Sequence, residues 1–259
     1  MKLTQVYKKK LASFLSSIAH FQNDNCYPHS AEAIFETMTD WSVFHSLDEV
    51  KDWFQKKRQN PKMHASPVAM KDLTDWIIDG PTGDICHKTN EYFSLHGLRV
   101  ETGTRERSSG WDQPIVTQVG YDGGLVGIIR QRFEGVPHYL CEAKEEPGNY
   151  GVVQLSPTLQ ATFSNIKRTH GGRQPYFAEI FLMRHNNSNV EVLFDSWLAE
   201  DGGRFYKKRN RGILLEVNCT KEIVPPTDDF IWLSLFQVKQ LLLEDAWVNP
   251  HLRGILSHV

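Results

Sequence analysis

The spacing of apolar residues divides the chain into a helical beginning and a strand-rich remainder. Apolar residues between positions 11 and 18 recur at helical spacing. Ser46 followed by Glu49 forms a capping box, which predicts a helix that begins after residue 46. We therefore interpret residues 1–60 as a helical segment. The polar stretch 55–67 is typical of a linker or a mobile loop.

From Trp76 onward, short apolar runs alternate with turn residues, which is the pattern of β-strands. The clearest hairpin would join residues 125–133 to residues 138–144 through a four-residue turn. The predicted strands are Tyr92–Leu95, Ile115–Gln118, Leu125–Phe133, His138–Lys144, Val152–Leu155, Phe177–Met183, Val190–Phe194 and Gly212–Val217.

Two helices are expected to interrupt this β-rich region. One would begin at Ser156-Pro157, since serine is a good N-cap and proline is favoured at the first helical position. The other would begin at Ser234, where Gln237 completes a capping box. The predicted fold class is α+β: a helical N-terminal segment, then a mixed β-sheet flanked by helices over residues 68–259.

Composition limits the class of function. The 259 residues carry a net charge of −2, which gives no overall attraction to nucleic acid or to an anionic membrane. No apolar run approaches the length of about 18 to 20 residues that spans a bilayer. The four cysteines are scattered without a CxxC pair, so reduced thiols and a cytoplasmic location are expected.

The densest group of polar residues lies between Cys141 and Asn165. In a strand, Glu142 and Lys144 share one face, and the tight turn that follows would place them at the rim of a pocket. The alternative is an exposed strand whose charges are solvated.

The predicted helix at Ser156 offers a second kind of site. The first N–H groups of a helix lack partners and carry partial positive charge, which suits a phosphate. Neutral hydrogen-bonding side chains, which suit the hydroxyl groups of a sugar, surround this position; an ordinary capped surface helix is the alternative. They are Gln154, Thr158, Gln160, Thr162, Ser164 and Asn165.

A basic run at residues 204–211 is the strongest local cluster of charge, and it ends with Lys208, Arg209, Asn210 and Arg211. Lysine and arginine both suit a diphosphate, although a solvated loop or a nucleic-acid contact has the same composition. Aromatic, amide and glycine residues at 109–115 and 169–176 would serve to stack a base or a sugar. Trp111 fits a position in the core equally well.

Several familiar motifs are missing from the sequence. There is no GxGxxG, no GxxxxGKS/T, no HExxH, no GxSxG and no cysteine–histidine grouping with zinc spacing. We therefore expect neither a metal nor a nucleotide cofactor. His138 and His170 lie near the polar segment and would be available as acid or base, although a lone histidine is often structural.

The string EEPGNYGVVQLSPTLQATFSN, with SGWDQPI before it and RFYKKRNRG after it, resembles the NDP-hexose 2,3-dehydratase family. The segments around residues 73–76, 93–98 and 248–257 resemble the family as well. The resemblance covers roughly residues 45 to 257.

The resemblance implies a fold similar to the Nudix hydrolases and removal of water from dTDP-4-keto-6-deoxyglucose or a relative, without metal. On this basis Glu146 is the expected proton-transfer residue, Lys144 the oxyanion stabiliser or acid, and His138 a further ionisable group. The expected substrate contacts are Trp111, Gln113, Asn149, Gln154, Ser156, Thr158, Gln160, Ser164, Asn165, Lys208, Arg209, Asn210 and Arg211. Alternatives are a dehydratase or isomerase for a different hydroxyketone, or a nucleotide-sugar-binding protein without catalysis.

Two features depart from the family pattern. Familiar members carry two tandem copies of this unit and this chain carries one, so a homodimer is expected. The stretch Leu-Gln-Ser-Glu-Gln-Gly that usually precedes the basic run reads Trp-Leu-Ala-Glu-Asp-Gly at 197–202, which puts the identity of the sugar in doubt.

Overall fold

The computed structural model describes residues 3–19, 28–102, 109–167, 173–218 and 222–259. The chain begins with three helices, α1 (Leu3–Ile18), α2 (Pro28–Met38) and α3 (Leu47–Gln59). Both hydrogen bonds of the capping box form, because Ser46 Oγ accepts the Glu49 N–H and the Glu49 carboxylate accepts the Ser46 N–H. The helical N-terminal segment is confirmed. None of the helices in the described ranges has the length and apolar character that a membrane crossing requires.

A small antiparallel sheet follows, with strands in the order β1 (Trp76–Ile78), β2 (Ile85–His87), β3 (Phe93–Thr102) and β4 (Ser109–Gln118). It is joined to the rest of the molecule through Val116, whose N–H donates to the carbonyl of Arg204 and whose carbonyl accepts the N–H of Tyr206.

The larger sheet has seven strands. In chain order they are β5 (Gly124–Phe133), β6 (Val136–Glu145), β7 (Val153–Pro157), β8 (Leu159–Thr162), β9 (Val190–Ala199), β10 (Arg209–Val217) and β11 (Phe230–Leu233). The main path of pairing runs β11-β6-β5-β10-β9, with β7 beside β6 and β8 beside β5. β5 and β10 are parallel and the other pairs are antiparallel. The predicted hairpin is β5–β6.

Four short helices complete the fold: α4 (Phe163–Ile166), α5 (Ala178–Leu182), α6 (Leu235–Leu241) and α7 (Pro250–Leu256). Both faces of β5 are covered, since Ile128 packs in a core with α3, α6 and α7 while Ile129 packs with Phe181 of α5. A strand buried on both faces has a continuous apolar run, as the first six residues of β5 do before the buried Arg130 and Gln131. The α+β class, with a mixed sheet flanked by helices, is confirmed.

The helix predicted at Ser156-Pro157 is wrong. These residues end strand β7, where Ser156 is opposite Glu142 and Pro157 is opposite Cys141 of β6. Proline lacks an N–H, so it is tolerated at the end of this strand, beyond the bridge that Leu155 forms with Val248 on the other edge.

Two other expectations need correction. The strand predicted at Phe177–Met183 is the helix α5, whose residues Ala178 and Phe181 point into the core with helical spacing. The predicted linker at 55–67 is helical as far as Gln59, because α3 continues through its polar end.

The helix α2 is attached to the large sheet by a cluster of buried charges. Arg130 on β5 forms ion pairs with Glu32 and Glu36 of α2 and with Glu216 of β10. Arg132 pairs with Glu32 and Glu216 at 2.6 and 2.8 Å. The predicted N-terminal segment is therefore bonded to the centre of the sheet.

Candidate active site

A polar cavity of about 450 Å³ lies where the strands of the large sheet separate. β6 pairs with β5 over its first half and with β7 over its second half, whereas β8 pairs with the start of β5. The cavity opens beside this divergence and is bordered by the end of β9 and the start of β10. Its ionisable and amide-bearing side chains are those of Lys144, Glu145, Glu146, Gln160, Asn165, Glu200, Lys208, Asn210 and His251.

A chain of amide groups ends at Glu146. Gln160 Nε2 donates to Glu146 Oε1 at 2.8 Å, and Asn249 Nδ2 donates to Gln160 Oε1 at 2.7 Å. Asn249 is the N-cap of α7, where its Oδ1 accepts the N–H of Leu252. Among the described residues, the second carboxylate oxygen of Glu146 has no protein donor. The fold therefore presents one oxygen of this carboxylate for chemistry.

A second network is centred on Glu200 in the same cavity. Asn210 Nδ2 donates to Glu200 Oε1 at 2.6 Å, and Lys208 Nζ donates to Asn210 Oδ1 at 2.8 Å. His251 Nε2 lies 3.6 Å from the same Glu200 oxygen. Burial lowers the pKa of Lys208, while the nearby Glu200 carboxylate opposes this shift. Two carboxylates of the cavity, Glu146 and Glu200, thus each accept a hydrogen bond from a neutral amide.

The Glu–Lys face predicted on β6 forms. Lys144 Nζ is 3.5 Å from Glu142 Oε2, and burial raises the pKa of Glu142 above its usual value. The Glu145 carboxylate instead accepts hydrogen bonds from the backbone N–H groups of Lys62 and Met63, so it anchors the segment that follows α3. Of the three consecutive positions 144–146, Lys144 and Glu146 therefore remain for a ligand.

The expected anion site at Ser156 does not exist, since no helix begins there. Ser156 is fully buried and its Oγ accepts a hydrogen bond from Asn249. Thr158 is also buried and bonds to the backbone of β5 and β6, donating to the carbonyl of Leu140 at 2.5 Å. Both hydroxyls are used inside the fold, so neither supports the predicted role in substrate binding.

His138 is also a structural residue. Its ring is fully buried and accepts the N–H of Val43 at 3.1 Å, and its other nitrogen contacts the carbonyl of Val136. Burial lowers its pKa to about 4. The ring joins the N-terminal segment to β6 and does not line the cavity, so the geometry does not support the predicted catalytic role. His170 lies outside the described residues.

The alternation of a strand divides the basic run into two groups. Lys208 and Asn210 line the cavity, whereas Arg209 and Arg211 point away from it. The Arg209 guanidinium lies 4.3 Å from the ring centroid of Trp197, and Arg211 forms an ion pair with Asp195. Neither arginine therefore lies where it would bind a diphosphate in this cavity.

The other residues expected to bind the substrate lie partly in the cavity and partly around it. Asn165 and Gln160 line the cavity, and Asn149 and Gln154 line an adjoining depression of about 420 Å³ that shares Glu146 and Glu200 with it. Ser164 bonds to Thr162 at the start of α4.

Trp111 and Gln113 are bonded to each other on β4, and the Gln113 amide donates to the carbonyl of Gly203 at 3.3 Å. Neither of these two side chains lines the cavity. Their predicted contact with the base or sugar would need a ligand that reaches beyond it.

Sequence reasoning missed the roles of Glu200 and His251, and of the aromatic residues Phe93 and Phe205 in the cavity wall. His251 falls in a segment that carries the family resemblance and Glu200 in the stretch 197–202 that departs from it, but nothing in their spacing joins them. No group of three or more metal-ligating side chains was found in the ranges that the structure describes. Independence from metals and cofactors stays a prediction.

The fold and the site define an α+β protein with a mixed sheet and a polar cavity containing paired acid–base groups. The sequence model of the NDP-hexose 2,3-dehydratase family matches residues 47–259, so the chain belongs to this family.

Two curated relatives carry the name dTDP-4-dehydro-6-deoxy-alpha-D-glucopyranose 2,3-dehydratase. One from Amycolatopsis orientalis is 36% identical over 81% of this chain and 44% of its own length. One from Saccharopolyspora spinosa is 38% identical over 79% of this chain and 40% of its own length. The chain therefore spans less than half the length of these relatives.

Solved structures similar to this chain include an ADP compounds hydrolase, with 9% identity and a TM-score of 0.37 over 64% of this chain and 83% of the other. A Nudix hydrolase from M. smegmatis has 13% identity and a TM-score of 0.30 over 62% and 97%.

Proposed function

We propose that this chain removes water from C2 and C3 of a nucleotide-linked 4-keto-6-deoxyhexose, as the names of its relatives describe. The observation that carries the proposal is the cavity with two separate carboxylate networks, around Glu146 and around Glu200, inside the region that the family match covers. An elimination needs one group to remove a proton and another to protonate the leaving group.

The chemistry follows from the substrate. The C4 ketone acidifies the proton on C3, so a base generates an enolate. The C2 hydroxyl is β to the carbonyl and leaves with a proton from an acid as water. The C2–C3 enol that remains becomes a 3,4-diketo-2,6-dideoxysugar. Atoms and electrons balance without an oxidant or a reductant.

We assign the removal of the C3 proton to Glu146, whose one oxygen is held by Gln160. Lys144 borders the same cavity and would stabilise the C4 oxyanion. His251, beside Glu200, takes the acid role that the sequence had suggested for His138. Lys208 is the second lysine of the cavity and suits one phosphate of the nucleotide.

The test is incubation with dTDP-4-keto-6-deoxyglucose, followed by mass spectrometry for loss of one water. The wild-type chain should convert the substrate, and Glu146→Gln should bind it in calorimetry but lose turnover. Glu179→Gln, on the exposed face of α5, is the matched control and should keep full activity. Binding without turnover by the wild-type chain would favour the nucleotide-sugar-binding alternative, and no binding would refute both.

We further propose that two copies associate as a homodimer. The support is the length of the chain, which covers 44% of the Amycolatopsis orientalis relative and so corresponds to about one half of it. Light scattering at micromolar concentration should give twice the mass of 29.8 kDa, and a strictly monomeric mass would refute this. The cytoplasmic location stays a prediction.

A further inference from the structure

The hydrogen bonds that reach Glu146 have a fixed direction. The side-chain oxygen of Asn249 accepts the Leu252 N–H at 2.9 Å at the start of α7, so its amide nitrogen has to face the opposite way. That nitrogen has two hydrogens, which reach Ser156 Oγ and Gln160 Oε1, both at 2.7 Å. Asn249 is 1% exposed, so its orientation is held by the fold.

This direction determines the orientation of Gln160. Because its oxygen accepts from Asn249, its Nε2 has to point at Glu146, where it donates at 2.8 Å. An amide N–H that donates to a carboxyl oxygen stabilises the ionised form of that group. A reversed amide would present its oxygen to the carboxyl group, and this would favour the protonated form.

We propose that Asn249 is a positioning residue: acting through Gln160, it presents an N–H donor to the Glu146 carboxylate and keeps it directed into the cavity. The inference rests on the proposed function, in which Glu146 removes the C3 proton. Asn249 does not act on the substrate in this account. The Leu252 N–H fixes the orientation of the Asn249 amide. The hydrogen bond from Asn249 to Gln160 then fixes the orientation of Gln160, whose N–H donates to Glu146.

Other charged groups lie around Glu146. They are Glu142, Lys144 and Glu145 from β6, Glu200 after β9, Lys208 before β10 and His251 from α7. A test of the chain of amides should therefore leave all of these side chains unchanged, and any charge that it adds needs its own control.

Asn249→Asp is such a change. Aspartate still accepts the Leu252 N–H, since it is as good an N-cap as asparagine, but it has no hydrogen to donate to Gln160. The Gln160 amide then turns over so that its nitrogen donates to the new carboxylate and its oxygen faces Glu146. We expect the acidic limb of the pH profile of kcat/KM to move up by about one pH unit, with about tenfold lower kcat/KM on the acidic side of the limb, little change on the neutral plateau and an unchanged KM.

Asn249→Ser is the control for added charge. Serine also caps a helix but is too short to reach Gln160, so it breaks the chain of amides without adding a carboxylate. Its acidic limb should also move up. A limb that moves in Asn249→Asp but stays at the wild-type position in Asn249→Ser would show that charge alone is responsible and would overturn the proposal.

Should Asn249→Asp fail to fold, Asn249→Ser alone carries the test, because it keeps the N-cap of α7 and adds no buried charge. The same upward movement of the limb is expected. A folded variant whose acidic limb stays at the wild-type position would overturn the proposal.

A second readout does not depend on turnover. In protein with ¹³C-labelled glutamate, the carboxyl signal that Glu146→Gln removes should titrate at a higher pH in Asn249→Asp than in wild type. An unchanged midpoint would overturn the inference even in an active enzyme. A shifted midpoint in a chain that does not dehydrate the sugar would refute the proposed function alone.

Discussion

Replacement of Arg130 by methionine should strongly destabilise the protein. The guanidinium is 2% exposed and lies among the carboxylates of Glu32, Glu36 and Glu216. Methionine fills a similar volume but leaves these three carboxylates without their shared cation, with Arg132 as the remaining neighbour for two of them.

The expected magnitude follows from the loss of one partner in a buried ion pair, which costs roughly 3–5 kcal/mol. For a chain of this length, each kcal/mol lowers Tm by about 2–4 °C, so a decrease of about 6–20 °C is expected. Urea unfolding followed by circular dichroism measures the free energy, and calorimetry measures Tm.

A second substitution tests the cause. Burial raises the pKa of Glu36 to about 7, so this carboxyl is the easiest of the three to neutralise. Arg130→Met combined with Glu36→Gln should recover part of the lost stability, because the neutral amide removes one unpaired charge. The exposed pair of Arg99 with Asp112 is the control, and Arg99→Met should leave Tm unchanged. An Arg130→Met protein as stable as wild type would refute the reasoning.

Three further predictions concern single side chains. The pKa of His138 falls on folding from 6.5 to about 4, so the unfolded chain binds more protons between these values and stability is lost as pH falls through this window. This costs roughly 3 kcal/mol by pH 4 and should be absent from the pH dependence of urea unfolding in His138→Gln. Ser234→Ala removes the N-cap of α6 and a bond to Asp40, and should cost about 1–2 kcal/mol in the same assay, whereas Ser257→Ala should have little effect. Burial raises the pKa of the Cys141 thiol, so iodoacetamide at pH 8 should leave it unmodified in the native protein but not in urea; peptide mapping would detect modification of the native thiol, which would contradict its burial.

Much of the fold could be predicted because local patterns agreed with the tertiary structure. The capping boxes at Ser46 and Ser234 mark the starts of α3 and α6, and the long apolar run of β5 identifies the centre of the sheet. The signal at Ser156-Pro157 misled because serine followed by proline suits an edge strand as well as a helix. Only the pairing of this segment with β6 distinguishes the two.

The part of the candidate site that could be predicted lies in polar segments of the sequence. Glu146, Gln160 and Lys208 belong to polar segments that are visible in the sequence. Glu200 and His251 come together because α7 packs against β5, β7 and β10. The spacing of residues along the sequence does not indicate this tertiary contact. His138 was a candidate acid or base in the sequence, but its ring is buried and has a structural role. The burial of a single polar residue within a strand cannot be predicted from its sequence neighbours.

The parallel pairing of β5 with β10 has a consequence for how the cavity arises during folding. Partners in this pair are 86 residues apart, as Arg130 and Glu216 are. Closing so long a loop costs entropy before any contact is made, so such pairs tend to form slowly. The cavity needs β6 and β8 from within this loop and α7 from beyond it. The cavity should therefore form in one late step of folding. A partly folded chain would contain the β5–β6 hairpin but not yet the cavity.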